Sequence, residues 1–89
     1  MTGSALTSPP GFENVIVTDL GIQTFTDEES GERWPTRLLA FSTTVDELEH
    51  GMTLSAAPDV EGAVLDSLIR HGCQAVQHIA ADYVARGSS

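Results

Sequence analysis

The stretch that decides the fold is PDVEGAVLDSLIRHGCQAVQHIAADYVAR, residues 58–86. Pro58 suits the first turn of a helix, where its missing N–H would have no helical partner. Asp59 and Glu61 suit the positive end of the helix dipole, and Arg86 suits the negative end. The sequence therefore predicts one long C-terminal helix over this stretch, about 40 Å long at 1.5 Å per residue.

An apolar stripe runs along this predicted helix. Its members recur at alternating spacings of four and three residues, and Leu68, Ala80 and Val84 broaden it to the width of a core-facing surface. The members of the stripe are Leu65, Ile69, Gly72, Val76, Ile79 and Tyr83. Gly72 costs about 1 kcal/mol relative to Ala in a helix interior, so its place in the stripe indicates close approach of another backbone. Either a partner chain packs there, and the stripe is an interface, or Gly72 fits against the hairpin of its own chain.

Two runs upstream of the helix are typical of β-strands. Residues 14–25, NVIVTDLGIQTF, and residues 34–43, WPTRLLAFST, are rich in β-branched and aromatic side chains. The first run is interrupted near Leu20, which predicts a bulge or a tight turn. Pro35 cannot donate to a ladder and marks a strand start or an edge position. With the acidic loop 26–33 between them, the two runs predict an antiparallel hairpin.

A short helix is expected after the hairpin. Thr44 and Glu47 have the spacing of a capping box, in which each side chain reaches the backbone N–H of the other residue. Gly51 stands where such a helix would stop. The pattern predicts a helix of one or two turns over 45–50, followed by a short third strand over 52–56.

These elements predict an α+β fold: an antiparallel β-hairpin or three-stranded sheet, one short capped helix, and one long C-terminal amphipathic helix. Residues 1–12 are small and polar with a Pro9-Pro10 pair, so we expect a flexible or partner-bound N-terminal arm. Residues 13–89 are then a single small domain. Trp34 is expected in its core, the alternative being an exposed contact residue at an edge.

The charge is strongly negative. Thirteen acidic residues oppose four basic ones, for a net charge of -9, so we expect binding to neither nucleic acid nor membrane. A single cysteine predicts no internal disulfide. Neither a signal peptide nor an apolar run of about 20 residues is apparent. The expected location is the cytoplasm or a larger assembly.

The segment HGCQAVQH, residues 71–78, resembles a metal site or a Cys/His pair when it is read as a string. On a helix, however, His71 and His78 stand about 10 Å apart along the axis, too far to share one zinc ion. Cys73 points to the other side, where we expect a small buried side chain. We therefore expect no metal and no cofactor. His71, His78 and Asp82 form a polar row, and the i, i+4 spacing of the last two favours a hydrogen bond between them. The row is either a solvated face, a partner-binding face, or a pH-sensitive or metal-bridged interface with an antiparallel partner helix.

Sequence motifs of catalysis are missing: there is no G-x-S-x-G, Gly-rich phosphate loop, H-E-x-x-H or C-x-x-C. We expect no catalytic residues and a non-enzymatic interaction or assembly module (structural, adaptor or virion-type subunit) that binds itself, another protein, or both. One alternative is an acidic inhibitor or regulator of a basic protein surface, including nucleic-acid mimicry, with the loop and the 46–49 carboxylates on one face. The other is a small-ligand binder or enzyme with an intersubunit site on the polar row.

Overall fold

The computed structural model describes residues 4–87; residues 1–3, part of the predicted arm, and residues 88–89 lie outside the described residues. Four strands form one antiparallel sheet in the order β1-β2-β3-β4, and a single helix packs against the sheet. The elements are β1 (Ser4–Leu6), β2 (Val15–Thr26), β3 (Arg33–Val45), β4 (Leu48–Ala56) and α1 (Gly62–Gly87). The α+β class expected from the sequence is confirmed.

The core lies between one face of the sheet and α1. Alternate residues of the two central strands are fully buried there: Val15 and Val17 of β2, and Leu39 and Phe41 of β3. The helix adds Ile69, Cys73 and Val76. Because successive side chains of a strand point to opposite faces, the intervening residues Ile16 and Ala40 lie on the other face of the sheet. The core is thus a single layer with α1 on one side only.

The long hairpin of β2 and β3 contains the expected bulge. The pairing register shifts between Asp19 and Gly21, which leaves Leu20 as the extra residue. Gly21 has a φ of 82°, in the left-handed region that glycine adopts without a steric penalty. The Asp19 carboxylate accepts a hydrogen bond of 2.9 Å from the Gly21 N–H. The prediction of a bulge near Leu20 is confirmed.

The outer part of this hairpin, residues 23–26 and 33–36, projects beyond β1 and β4 as a two-stranded ribbon. Pro35 lies in the ribbon at an edge position, as expected. Phe25 and Trp34 stand directly opposite each other. Trp34 is 46% exposed, so its expected place in the core is wrong. The reason is strand alternation, which puts Trp34 on the face that carries Ala40, away from α1.

The predicted short helix over 45–50 is wrong. Strand β3 continues to Val45, β4 begins at Leu48, and only two residues connect them. These residues, Asp46 and Glu47, have φ values of 53° and 67°, as a type I′ hairpin turn requires. The capping-box spacing was misleading because ladder pairing with β3 gives the backbone better partners than one helical turn would. The predicted third strand is present and is longer than expected, since β4 follows the turn directly.

Helix α1 begins at Gly62, four residues later than predicted. Arg37 Nη1 donates a 3.0 Å hydrogen bond to Val60 O, which holds the preceding segment against the sheet in a non-helical path. Pro58 therefore lies in a turn, and the first turn of α1 contains no acidic residue. Arg86 is in the last turn, as expected. In the described part of the chain, no helix has the length and apolar composition needed to cross a membrane.

The N-terminal segment lies on the sheet of its own chain. Strand β1 pairs with β2 in antiparallel orientation, and Leu6 and Phe12 pack against the core. A turn closes the segment, with Phe12 N donating to Pro9 O at 3.0 Å. Residues 4–12 of the predicted arm therefore lie against their own chain, and Ser4–Leu6 extend the sheet by one short strand.

At Gly72, α1 lies against the sheet with no room for a side chain. A Cβ atom added at this position would overlap the ring of Phe41. Of the two alternatives for Gly72, the structure shows the second: the glycine fits against the hairpin of its own chain.

Replacing Gly72 by Ala should lower the stability of the protein. Forcing a methyl group into a packed core typically costs about 1–3 kcal/mol, which is partly offset by about 1 kcal/mol of helix propensity. We expect a net loss of up to about 2 kcal/mol in the free energy of unfolding, measured by chemical denaturation. The same substitution should cost less in a Phe41→Leu background, where the ring is gone. A stabilised Gly72→Ala variant would contradict the packing described here.

Replacing Glu47 by Gly should raise stability. Glu47 has a φ of 67°, and glycine adopts this region without the Cβ clash of an L-residue, a difference of about 1 kcal/mol. The expected gain in thermal midpoint is about 4–8 °C. As a control, Glu49→Gly in the neighbouring strand should destabilise, because glycine weakens a strand interior. Equal effects of the two substitutions would argue against a positive φ at Glu47.

Candidate functional site

The structure divides the predicted interface stripe of α1 into a covered and an available part. Leu65 is partly buried against the core, and three further members are buried against the sheet of the same chain: Ile69, Gly72 and Val76. Ile79 and Tyr83 are about half exposed on the side of α1 that faces β4. Of the six residues, these last two are available to a partner.

The polar row of α1 is exposed and forms no cluster. Asp82 pairs with Arg86 at 3.1 Å, one helical turn further on. Exposed pairs of this kind contribute little to stability. Within residues 4–87, no group of three His, Cys, Asp or Glu side chains could hold a metal ion. His71 and His78 line a groove beside β4 instead.

Cys73 lies in the middle of the core with no exposed surface. Burial raises the pKa of its thiol, because a thiolate would lose its hydration there. A protonated thiol away from solvent is neither a good nucleophile nor a metal ligand. The expectation of a small buried side chain at this position is confirmed.

A partly buried ion pair between Arg37 and Asp19 was not predicted from the sequence. Arg37 Nη2 donates to Asp19 Oδ2 at 2.5 Å, and this hydrogen bond lowers the pKa of the carboxyl and raises that of the guanidinium. Since Asp19 also accepts from Gly21 and Arg37 donates to Val60, the pair joins the bulge of β2 to the segment before α1. The only indication of this pair in the sequence was Arg37 itself, a charged residue inside the apolar run that forms β3. The pair is structural, with its polar atoms already engaged.

A groove of about 500 Å³ runs between β4 and α1. Its lining contains no charged residue and consists of Met52, His71, Gln74, Ala75, His78 and Ile79; we call it the β4–α1 groove. Beside it, along the same two elements, the rings of His50 and Tyr83 lie 5.0 Å apart between centroids. Among the described residues, His50 Nε2 is buried without a hydrogen-bond partner. Two of the three histidines, His71 and His78, thus line the groove, and His50 belongs to the adjoining strand β4.

The face of the sheet turned away from α1 is uncovered; we call it the open face. The register places six apolar side chains on it, with uncharged polar residues between them: Ala5, Ile16, Phe25, Trp34, Leu38 and Ala40, interspersed with Thr18, Gln23, Thr36, Ser42, Thr44, Thr53 and Ser55. Of residues 4–87, the only charged one that alternation puts on this face is Glu49, at the end of the edge strand. An uncharged sheet face is unusual in a chain with a net charge of -9.

The acidic residues are concentrated at opposite ends of the sheet. The loop 27–32 precedes β3 and the turn 46–49 follows it, and β3 has 13 residues. At about 3.3 Å per residue, the two acidic segments are about 40 Å apart. The two segments are therefore separate acidic patches at the two ends of β3.

The chain was also compared with known proteins. No protein-family model matches it, and neither does any curated protein or solved structure.

The buried position of Cys73 leads to a testable expectation. In the native protein, a thiol reagent such as DTNB should react with Cys73 at least a hundredfold more slowly than in denaturant, because labelling requires the core to open. Labelling should accelerate in the Gly72→Ala variant, whose core is destabilised. Rapid reaction of the native protein at neutral pH would show that the thiol is accessible and would contradict this placement.

Proposed function

We propose that this protein is a non-enzymatic assembly module that associates with itself through the open face of its sheet. The observation that carries the proposal is the lack of charge on that face across β2, β3 and the centre of β4. A sheet normally covers each apolar face with another layer. Here α1 provides one layer, and a second copy would provide the other.

Charge supports a second copy on this face. In a two-fold dimer, the same patch of surface meets its own copy. Patches that contain several of the 13 acidic residues would therefore place like charges against each other. The open face avoids this repulsion, since Glu49 lies at its margin.

The amount of exposed surface also supports self-association. The chain exposes 6167 Å², whereas a folded monomer of this mass typically exposes about 5,000 Å². The difference, roughly 1,200 Å², exceeds the ~800 Å² that each partner buries in a standard interface. The radius of gyration of 14.9 Å likewise exceeds the ~12 Å expected for a compact chain of this length.

The aromatic pair on the ribbon gives the proposed interface an anchor. Phe25 and Trp34 are adjacent across the strands and both partly exposed, and aromatic residues are enriched among the contacts that dominate binding energy. Two sheets that stack face to face pack about 10 Å apart. The dimer would then have four layers, in the order helix, sheet, sheet, helix.

The non-enzymatic part of the proposal is supported by the state of the candidate nucleophile and bases. Cys73 is buried as a thiol, and the histidines of α1 are separated along the helix. Cys73 does not line the groove that His71 and His78 border, so this nucleophile and these bases do not meet in one cavity, as covalent catalysis would require.

A matched pair of substitutions tests the interface. Ile16 and Ile22 both belong to β2 and are 61% and 58% exposed, but the first is on the open face and the second is on the opposite one. Ile16→Asp should lower the apparent molar mass in light scattering to that of a monomer, because it buries a charge against its own copy. Ile22→Asp should leave the mass unchanged.

Trp34, the only tryptophan of the chain, gives an independent readout. Its emission maximum should shift to shorter wavelength as the concentration rises, and this shift should be lost in Ile16→Asp. A wild-type protein that is monomeric throughout the micromolar range would refute the proposed self-association.

A further inference from the structure

We infer that the free edge of β4, together with the β4–α1 groove, is a docking site for an extended segment of a partner protein. The segment would add to the sheet as a fifth strand, with apolar residues at alternate positions and basic residues at both ends. This site is separate from the open face and goes beyond self-association.

The two edges of the sheet differ in how well they are protected. Strand β1 forms one edge and has only three residues, followed after two residues by Pro9 and Pro10; short strands and prolines are devices that prevent edge pairing. Strand β4 forms the other edge and has nine residues. It contains no proline or lysine, and no Asp, Glu or Arg from His50 to Ala56. β4 is therefore the edge at which a further strand can pair.

The groove provides space for the side chains of such a strand. Every second side chain of an added strand would point toward the α1 side of the sheet. Met52, Ala75 and Ile79 offer apolar contacts there, and His71, Gln74 and His78 offer hydrogen-bonding groups. Main-chain pairing combined with alternate side-chain pockets is the general mode of β-strand addition.

His50 gives a second indication of an incoming polar group. It belongs to β4 and faces α1 beside Tyr83. Its Nε2 atom is buried and has no hydrogen-bond partner within residues 4–87. Buried polar atoms are normally paired, and rotation of the ring toward the edge of β4 would let a donor or acceptor on the docked segment satisfy this one.

The acidic residues near the two ends of β4 determine which kind of segment can bind at this edge. Asp46, Glu47 and Glu49 lie at one end of β4, and Asp59 and Glu61 follow its other end; all five are exposed. Antiparallel pairing of two β4 strands would bring the 46–49 turn of one copy toward Asp59 and Glu61 of the other. Like charges disfavour that pairing. A segment with lysine or arginine at both ends meets carboxylates at both ends of β4 instead.

The test uses the full-length chain and a ten-residue peptide in which alternating valine and threonine are flanked by two lysines at each end. Titration of the ¹⁵N-labelled protein should shift the amides of β4 and of the groove residues of α1. A peptide with glutamates in place of the lysines should bind at least tenfold more weakly in fluorescence anisotropy, and the difference should shrink at 0.5 M salt.

Two matched pairs of variants locate the site. Removal of the three charges beside the 46–49 turn should weaken binding of the lysine peptide about tenfold at low salt; this triple variant is Asp46→Asn/Glu47→Gln/Glu49→Gln. The matched control makes the same charge change at the other end of β3 and should have little effect; it is Glu28→Gln/Glu29→Gln/Glu32→Gln. Ile79→Ser should weaken binding severalfold. Val64→Ser, at an exposed position outside the groove lining on the same helix, should not.

The outcomes separate this inference from the proposed function. Three outcomes would overturn the docking site. The two peptides could bind equally well, the two triple variants could have equal effects, or the amide chemical-shift changes could be confined to the open face. Concentration-dependent protection of β4 amides without peptide would also overturn it, because a second copy would then occupy the edge. The Ile16→Asp variant should bind the peptide as the wild type does, so that a failure of self-association leaves the docking result intact.

Discussion

The contact between Gly72 and the ring of Phe41 is the constraint on which the rest of the structure depends. Because this glycine has no side chain, α1 approaches β3 closely and the ring fills the space between them. That approach aligns Cys73 and Val76 with the buried face of the sheet. It also fixes the rotation of the helix, and hence which of its residues remain outside the core.

The position of α1 explains both candidate interaction surfaces. One helix covers one face of a four-stranded sheet, so the opposite face has no layer above it within the described chain. The helix also leaves a groove beside the edge strand β4, with Ile79 and Tyr83 on its rim. The acidic residues lie mainly in the loops and turns at the strand ends. They leave the open face with Glu49 as the single charged residue among those described and flank β4 at both ends, which gives the two surfaces different electrostatic preferences.

Much of the fold could be predicted from the sequence because its signals are local. Helical periodicity, the strand-forming runs and the interruption near Leu20 each depend on neighbouring residues, and each is present in the structure. The short helix over 45–50 could not be excluded from neighbouring residues alone. Thr44 and Glu47 are compatible both with a helix N-cap and with a hairpin turn. Ladder pairing along β4, formed by residues on another strand, decided between them. Trp34 was misplaced for a related reason, because apolar character does not reveal which face of the sheet a residue occupies.

The sequence by itself determined the long helix, the two strand-forming runs of the hairpin, the net charge and the burial of Cys73, since periodicity along one helix is enough to show which residues share a side. Only the tertiary structure decided whether the apolar stripe of α1 meets its own sheet or a partner. It also decided that Arg37 pairs with Asp19, which lies 18 residues away in the sequence. The open face and the β4–α1 groove exist only once the strands are in register and the helix is docked, because each combines residues from separate elements. The physical reason is that a surface is shaped by packing between elements, while composition and spacing describe one element at a time.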